Sequence, residues 1–537
     1  MGLARAAGIV SLATLLSRVL GLVREQVFAA FFGAGFAVDA FQVAFRIPNL
    51  LRDLFAEGAM SAAFVPTLTR TQQEKGDEAA MRLANLVINF LLVVLSIVCL
   101  VGILGAKWIV PFLAPGFGHI PGKLELTTLM TQIMMPFLML VALAAAVMGV
   151  LNTRRIFFIP AIAPTMLNLA LIAAGFVIAP FMPRFGLEPI VGMAIGATLG
   201  GLGQLFIQVP ALYAQGYRWK PVVAFRDPGV LRMTALMAPA AVGLAATQVN
   251  IFVNTFLASM LRQGSVSWLN YAYRLMQLPI GLFGVAIATV TLAEVSRHAA
   301  RRDMVSLKST VSFSLRFVLF LTLPATLLLV VLAQPIVALL YQHGRFGAED
   351  TVQTAQALWA YALGLSAFSA VRVLVPVCYT LGMTRLPVTV SFITIAANIV
   401  LNFALMGPLQ HRGLALATSI ASVLNFTLLF EVLRRKIGPL GGRKLLRSAT
   451  KIVFAALLAA VAGYLSASGV AAWLGARSVL ERALVVGAGL LGGSAIYAVA
   501  CVALQIEEMA PALGATLRIL GVRRRPPAEG QPPAGAP

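Results

Sequence analysis

The sequence predicts an all-α polytopic membrane protein of about fourteen transmembrane helices. Two six-helix lobes in parallel repeat are followed by two C-terminal helices. Three observations carry this expectation. The 537 residues are 60% hydrophobic and 11% charged, with a mean hydropathy of +0.90; a soluble globular chain has about 25% charged residues. Apolar runs of spanning length, about 20 residues each, recur from end to end. They are continuous rather than alternating in polarity, so the backbone satisfies itself as helices and not as a closed barrel. Similar residue groups also recur in the two halves of the chain at a nearly constant offset.

The runs fall at 8–32, 37–66, 84–112, 126–150, 158–181, 188–214, 231–260, 268–295, 311–341, 352–381, 387–406, 412–434, 450–474 and 480–504. The opening MGLARAAGIVSLATLLSRVLG lacks a small-residue cleavage site followed by a polar start, so it reads as the beginning of the first span. The second run is the least apolar and rests on the apolar residues between its charges. Most of the 41 basic residues lie on the side that holds the N-terminus, including Arg70, Arg154, Arg155, Arg297, Arg301 and the run from Arg434 to Lys451. Few lie opposite, among them Lys107, Lys123, Arg184, Arg262 and Arg345. The positive-inside rule then puts both termini in the cytoplasm. The net charge of +22 is explained by these loops and by functional cations, without nucleic acid as a partner. The tail, RRRPPAEGQPPAGAP, is Pro-rich and expected to be disordered.

The repeat pairs Ala44-Phe45-Arg46-Ile47-Pro48 with Ala272-Tyr273-Arg274-Leu275, Arg70 with Arg297, and Thr153-Arg154 with Thr384-Arg385. Six spans separate the members of each pair. An even separation makes the repeats parallel, related by an axis along the membrane normal. The expected domains are an N-lobe at 1–220, a C-lobe at 221–440, a C-terminal pair at 441–510 and the tail at 511–537.

The chemistry concentrates in residues 17–57. This apolar stretch carries Arg18, Arg24, Arg46 and Arg52 with Glu25, Asp39, Asp53 and Glu57. An arginine facing lipid at mid-bilayer costs about 2.5–3.5 kcal/mol. Four such residues require a water-filled cavity, partner charges or a polar ligand, and together they suit an anion. Arginine fits phosphate because its fork donates two parallel hydrogen bonds and keeps its charge at any working pH. Arg18 and Arg24, about 120° apart on one helix, can reach one wide cavity. Pairing of Arg24 with Glu25 or Glu57 is the plainer alternative. Arg46, Asn49 and Asp53 share one face by their i, i+3, i+7 spacing, and Arg52 lies on another, near Glu57. Asp53 and Glu57 read as holders of arginines. Asp39 reads equally as a helix cap or as part of an outer gate. Arg274 is the second half's cation facing the same cavity, and Trp268 before it reads as an interface anchor. Arg372 is a cation with no assigned role.

Other chemistries find no support. No nucleotide-binding loop occurs, the four histidines are isolated in loops, and Cys99, Cys378 and Cys501 sit singly in apolar spans with no metal or disulfide spacing. No catalytic residue, metal or cofactor is expected.

The first quarter resembles the MurJ/MviN family, bacterial lipid II flippases of the wider MOP exporter superfamily. The resemblance lies in Ser17-Arg18-Val19-Leu20-Gly21, Arg24, Phe32-Gly33-Ala34-Gly35, Asp39-Ala40-Phe41, Pro48-Asn49-Leu50-Leu51-Arg52 and Phe55-Ala56-Glu57-Gly58-Ala59. It continues in Leu151-Asn152-Thr153, Gly264-Ser265-Val266-Ser267-Trp268, Arg274-Leu275-Met276 and Gly413-Leu414-Ala415-Leu416. It implies a multi-pass cytoplasmic (inner) membrane protein in cell-wall biogenesis. The cargo would be an undecaprenyl-diphosphate-linked peptidoglycan precursor, moved to the outer leaflet by alternating access. Its diphosphate would meet Arg18, Arg24, Arg52, Arg274, Asn49 and Ser17. Asp39, Glu57, Asp53, Arg46 and Ser267 would gate or support, and the C-terminal pair would hold the lipid tail. Partners would be lipid II, membrane lipids and cell-wall synthesis or division proteins. Two features depart from some members: Tyr273 and Gln277 stand where those carry acids. The spans at 231–260 and 387–406 offer only Asn250, Asn254, Thr394, Asn398 and Asn402 where sodium-coupled members have carboxylates. Membrane potential, or another ion gradient, is thus the expected energy source. A cation-drug antiporter would reverse the charge of the cavity. A flippase for another polyprenyl-diphosphate glycan, or a scaffold for the cell-wall machinery, remains the alternative.

Overall fold

A computed structural model describes residues 3–53, 59–510 and 512, with side chains described outside 3–11, 59–62 and 238–247. Among these residues every regular element is helical. The helices are α1 (Leu3–Phe32), α2 (Phe36–Arg52), α3 (Ala59–Leu113), α4 (Lys123–Thr153), α5 (Phe158–Ile162), α6 (Thr165–Val177), α7 (Val191–Phe206), α8 (Val209–Ala214), α9 (Pro228–Ser259) and α10 (Ser265–Pro279). They continue as α11 (Val285–Ala300), α12 (Met304–Val331), α13 (Ala333–Tyr341), α14 (Ala348–Ala362), α15 (Leu365–Thr380), α16 (Arg385–Leu409), α17 (His411–Ile437), α18 (Gly442–Leu474) and α19 (Val479–Ala503).

Helix occupies each of the fourteen expected spans. Among the described residues ten helical spans are long and apolar enough to cross a membrane, or eleven when α14 and α15, bent by 44°, count as one. The other three expected spans are α1, α2 and α9; α2 has 17 residues and carries Asp39, Arg46 and Arg52. The expected span at 37–66 covers α2 and the start of α3, with 54–58 outside the described residues. α3 is two helices joined at Gly76, whose φ of 85° lies where only glycine sits without strain.

The chain forms two compact units. The first comprises 1–275, 337–361 and 391–421; the second comprises 276–336, 362–390 and 422–537. In the first, α4 is the central element, packed against α2, α3 and α7. Its buried face includes Met134, Leu138, Val141 and Ala142, and Gly149 admits the Phe64 ring of α3. Gly192, Gly196 and Gly200 form a stripe on α7. A Cβ on Gly196 would lie 2.4 Å from the Ala174 methyl of α6, so the close crossing of α6 and α7 depends on small residues.

In the second unit α18 packs along α19 and against α12. Gly463 of α18 and Gly489 and Gly493 of α19 let these backbones touch: a Cβ on Gly493 would lie 2.9 Å from the Ala459 carbonyl oxygen. Beyond α19 the chain folds back and buries Ile506 and Glu508. Arg316 of α12, which sequence reasoning passed over, is buried there and pairs with Glu508 and, at 3.1 Å, with Glu507. Lys444 reaches Glu507 at 2.8 Å and the Ser448 hydroxyl donates to Glu508 at 3.0 Å. The Lys444 and Arg316 bonds hold the Glu507 carboxyl below its ordinary range.

Gly493→Leu is expected to overpack the α18–α19 crossing and cost about 1–3 kcal/mol. Gly487→Leu, with no atom within 4 Å of the new Cβ, is expected to be near neutral. Thermal unfolding of the detergent-solubilised variants checks the contrast.

Candidate substrate site

Asp39, Arg46 and Asp53 stand seven residues apart on α2 and its C-terminal cap, close to one stripe of the helix. Successive members are separated by about 10 Å along the axis. Each marks a level with its own charge balance, and all residues named at the three levels belong to the first unit.

At the first level the Asp39 carboxylate is 1% exposed and fully bonded. Oδ2 accepts from Lys123 Nζ at 2.9 Å and from the Gly264 N–H at 2.7 Å; Oδ1 accepts from the Ser267 N–H at 2.9 Å and its hydroxyl at 2.6 Å. Asp39 makes no cap on its own helix. It instead satisfies two N–H groups that the first turn of α10 cannot satisfy internally. The positive end of α10 favours its charge. Lys123, expected in an outer loop, is the first residue of α4. It is 0% exposed and lies 4.2 Å from the centre of the Phe117 ring. Gly264 has a φ of 98°, and a Cβ there would lie 2.6 Å from the Trp268 ring. Trp268 is buried and is no interface anchor: its Nε1 donates to Asp350 at 3.0 Å and its ring packs on His411. The same end is closed by Tyr271, which donates to the Gly33 carbonyl at 3.2 Å, and by the Arg345 N–H, which donates to Ala30 at 2.9 Å.

The second level is cationic. Glu25, 3% exposed, pairs with Arg24, and the same oxygen lies 2.9 Å from Arg274 Nε. Arg274 Nε–H is not aligned for a hydrogen bond, and Glu25 Oε2 has no partner. Arg24 also donates to Asn168 at 3.2 Å, and Asn168 donates to the Ser17 carbonyl at 3.0 Å. Arg46 lies within electrostatic reach of Arg274, Tyr361, Tyr273 and Asp53. Its Nε is shielded and unpartnered, and among the described residues it makes no ion pair. Three guanidinium groups against one carboxylate leave two positive charges in excess.

At the third level Arg52 donates to Asp53 at 2.8 Å, and Gln248 donates to the other oxygen of Asp53 at 3.2 Å. This pair is formally neutral. The shielded oxygens Asn49 Oδ1 and Gln248 Oε1 have no partner. Buried polar atoms are rarely left so, and each of these can still accept a hydrogen bond.

The expected residues thus separate. Arg24, Arg274 and, through its carbonyl, Ser17 belong to one connected cluster with Arg46 beside it. Asp39 and Ser267 form a buried hydrogen-bonded network with Lys123. Arg52 and Asp53 form a local pair near Asn49. Arg18 is exposed. Glu57 lies outside the described residues. Arg372, on α15 in the second unit, is exposed. Sequence reasoning missed Lys123, Asn168, Trp268 and Asp350 as members of these networks. It named Glu25 only as the plainer partner of Arg24, and the structure makes it the bridge between two arginines.

The helical architecture and the cationic level set within it, partly open at Arg46 and Arg274, define a polytopic membrane transporter. Its fold matches an inward-facing multidrug-resistance MATE transporter of the MOP superfamily with a TM-score of 0.66 at 13% identity, covering 78% of this chain and 94% of that one. The family model described as lipid II flippase MurJ matches residues 28–483, and the chain belongs to that family. The lipid II flippase MurJ of Burkholderia cenocepacia is 37% identical over 440 residues, 81% of this chain and 84% of the relative. A probable lipid II flippase MurJ of Vibrio cholerae is 39% identical over 430 residues, 79% of this chain and 81% of the relative. A solved structure of lipid II flippase MurJ in an inward closed conformation matches with a TM-score of 0.75 at 26% identity, covering 92% and 99% of the two chains. The resemblance carried by the N-terminal block is borne out. The family is one of transporters, not enzymes, and the chain is a multi-pass protein of the inner membrane.

Lys123→Met leaves the Asp39 carboxylate buried without its cation and is expected to destabilise the protein by about 3–5 kcal/mol. Adding Asp39→Asn removes the unpaired charge and is expected to recover much of that loss. Unfolding temperatures of the two single variants and the double variant test the pairing; additive losses would refute it.

Proposed function

We infer that the protein flips lipid II, carrying the undecaprenyl-diphosphate-linked peptidoglycan precursor from the inner to the outer leaflet. One observation in the chain's own residues supports this reading beyond family membership: the second level holds Arg24, Arg46 and Arg274 against Glu25 alone. An excess of two positive charges in an apolar surround calls for a polyanion, and a diphosphate supplies one. In this reading the diphosphate meets Arg24 and Arg274, with Arg18, Arg52, Asn49 and Ser17 along its path. Its charge offsets theirs and lets the lobes close around it. The Asp39 closure then opens and the headgroup leaves on the far side.

The lobes at 1–220 and 221–440 rock about the axis between the repeats, and the pair at 441–510 holds the lipid tail. Both termini lie in the cytoplasm. Membrane potential is the energy source, since moving excess charge across the membrane couples directly to it. Cell-wall synthesis or division proteins are the protein partners in this reading.

The test is depletion in the native host, with lipid II leaflet distribution read by an added membrane-impermeant probe. Inner-leaflet accumulation, reversed by the wild type and not by Arg24→Ala, is the expected result. In purified protein Arg24→Ala should weaken lipid II binding about 10–100-fold, the equivalent of losing a charge-assisted hydrogen bond. Unchanged outer-leaflet exposure, with a redundant flippase excluded, would favour a flippase for another polyprenyl-diphosphate glycan or a scaffold.

A further inference from the structure

Two repeat-related helices meet in the first unit. Asp39 of α2 and Ser267 of α10 occupy equivalent positions, at the same offset along the chain as Arg46 and Arg274. They hydrogen-bond to each other. Gly35 and Gln263 share that offset too, and a Cβ on Gly35 would lie 3.5 Å from Gln263 Nε2. When equivalent positions of two related elements touch, the symmetry axis passes between them, as in an isologous contact. The two contacts are one helical turn apart, so the axis runs between the outer ends of α2 and α10.

Two turns further along both helices, at one depth, stand Arg46 and Arg274. They are within electrostatic reach of each other. Two guanidinium groups flanking an axis repel unless something negative lies between them. Glu25 does not fill that role evenly: it pairs with Arg24 and Arg274 and is no partner of Arg46. Arg46 is therefore a half-buried cation that makes no ion pair among the described residues, Asp53 reaching it only at longer range, and its shielded Nε has no acceptor.

We propose that the substrate's diphosphate sits on this axis, with one phosphate held by Arg46 and the other by Arg274. The proposal rests on the lipid II reading and makes Arg46 a substrate-binding residue rather than a supporting one. A diphosphate is itself close to two-fold symmetric about its bridging oxygen, so the two sites suit its two ends. A monophosphate fills either site but not both. Glu25 offsets part of the charge of Arg274 and pairs with no group of Arg46, so the two ends of the grip are unequal.

The experiment uses the full-length protein in nanodiscs and three probes: lipid II, undecaprenyl diphosphate and undecaprenyl monophosphate. The wild type is expected to prefer the diphosphate over the monophosphate by about tenfold or more, the value of a second charge-assisted contact. Arg46→Gln and Arg274→Gln should each remove that preference while changing monophosphate binding by no more than about threefold, because one arginine remains. The double variant, which leaves Arg24 as the remaining arginine of this level, should weaken monophosphate binding by about tenfold or more, well beyond either single variant. Arg46→Lys, which keeps the charge, should retain most of the preference, and unfolding temperatures exclude a folding defect.

The proposal is overturned if Arg46→Gln binds the diphosphate as the wild type does, or if it loses both probes equally. A wild type that shows this pattern with undecaprenyl diphosphate but does not bind lipid II would sink the cargo reading and leave the axial grip standing. A wild type that binds none of the three would sink both.

Discussion

The Asp39 carboxylate is the constraint on which the arrangement of the site depends. It is buried, it is charged, and it can be tolerated only because four donors converge on it. Three of those donors come from the first turn of α10 and one from the first residue of α4. The carboxylate therefore fixes the height of α10 relative to α2, and the height of Arg274 relative to Arg46 follows. Such a contact is also breakable. The α10 donors can exchange Asp39 for water, while Lys123 keeps the carboxylate paired. A closure made this way separates along hydrogen bonds without exposing a bare charge to an apolar surround.

Below that closure the structure concentrates charge instead of cancelling it. Arg52 has Asp53 beside it and Asp39 has Lys123, so among the described residues the arginine and the carboxylate of each outer level have a partner of opposite charge. The middle level is not so matched. A protein stabilised only for itself gains nothing from leaving Arg46 without an acceptor, because burying a charge without its partner is costly. The cost is reasonable where a ligand completes the set. In the proposed function the unpartnered oxygens of Asn49 and Gln248 would serve as acceptors for a headgroup rich in hydroxyls and amides.

The sequence made the fold readable because membrane spans write themselves as long apolar runs, and each expected run is helical. It also made the arginines conspicuous, since a charge inside an apolar stretch stands out whatever its partners. Partners were another matter. Lys123 sits at the edge of a span, where a lysine is ordinarily a loop residue, and its carboxylate lies 84 positions away. Asn168 reaches Arg24 across 144 positions. Asn and Lys at such places carry no periodic signal. Trp268 reads as an anchor by position, and only the fold reveals Asp350 within reach of its indole N–H. What pattern shows is which groups need a partner, and what it withholds is which partner the fold delivers.

The repeat offers a way past that limit. Positions related by duplication occupy equivalent places in the two halves, so a contact between equivalents locates the axis from chain positions and hydrogen bonds alone. The Asp39–Ser267 contact does this, and it also shows how the halves have diverged. One member supplies the carboxylate and the other the hydroxyl and the helix start, so the contact is complementary where strict symmetry would set two like groups against each other. Two turns away the equivalents remain alike, as Arg46 and Arg274, and there like groups do repel. Under the proposed axial grip, divergence at the Asp39 level and retention at the cationic level suit a carrier of a two-ended anion: the halves would bind each other at one level and bind the anion, together, at the next.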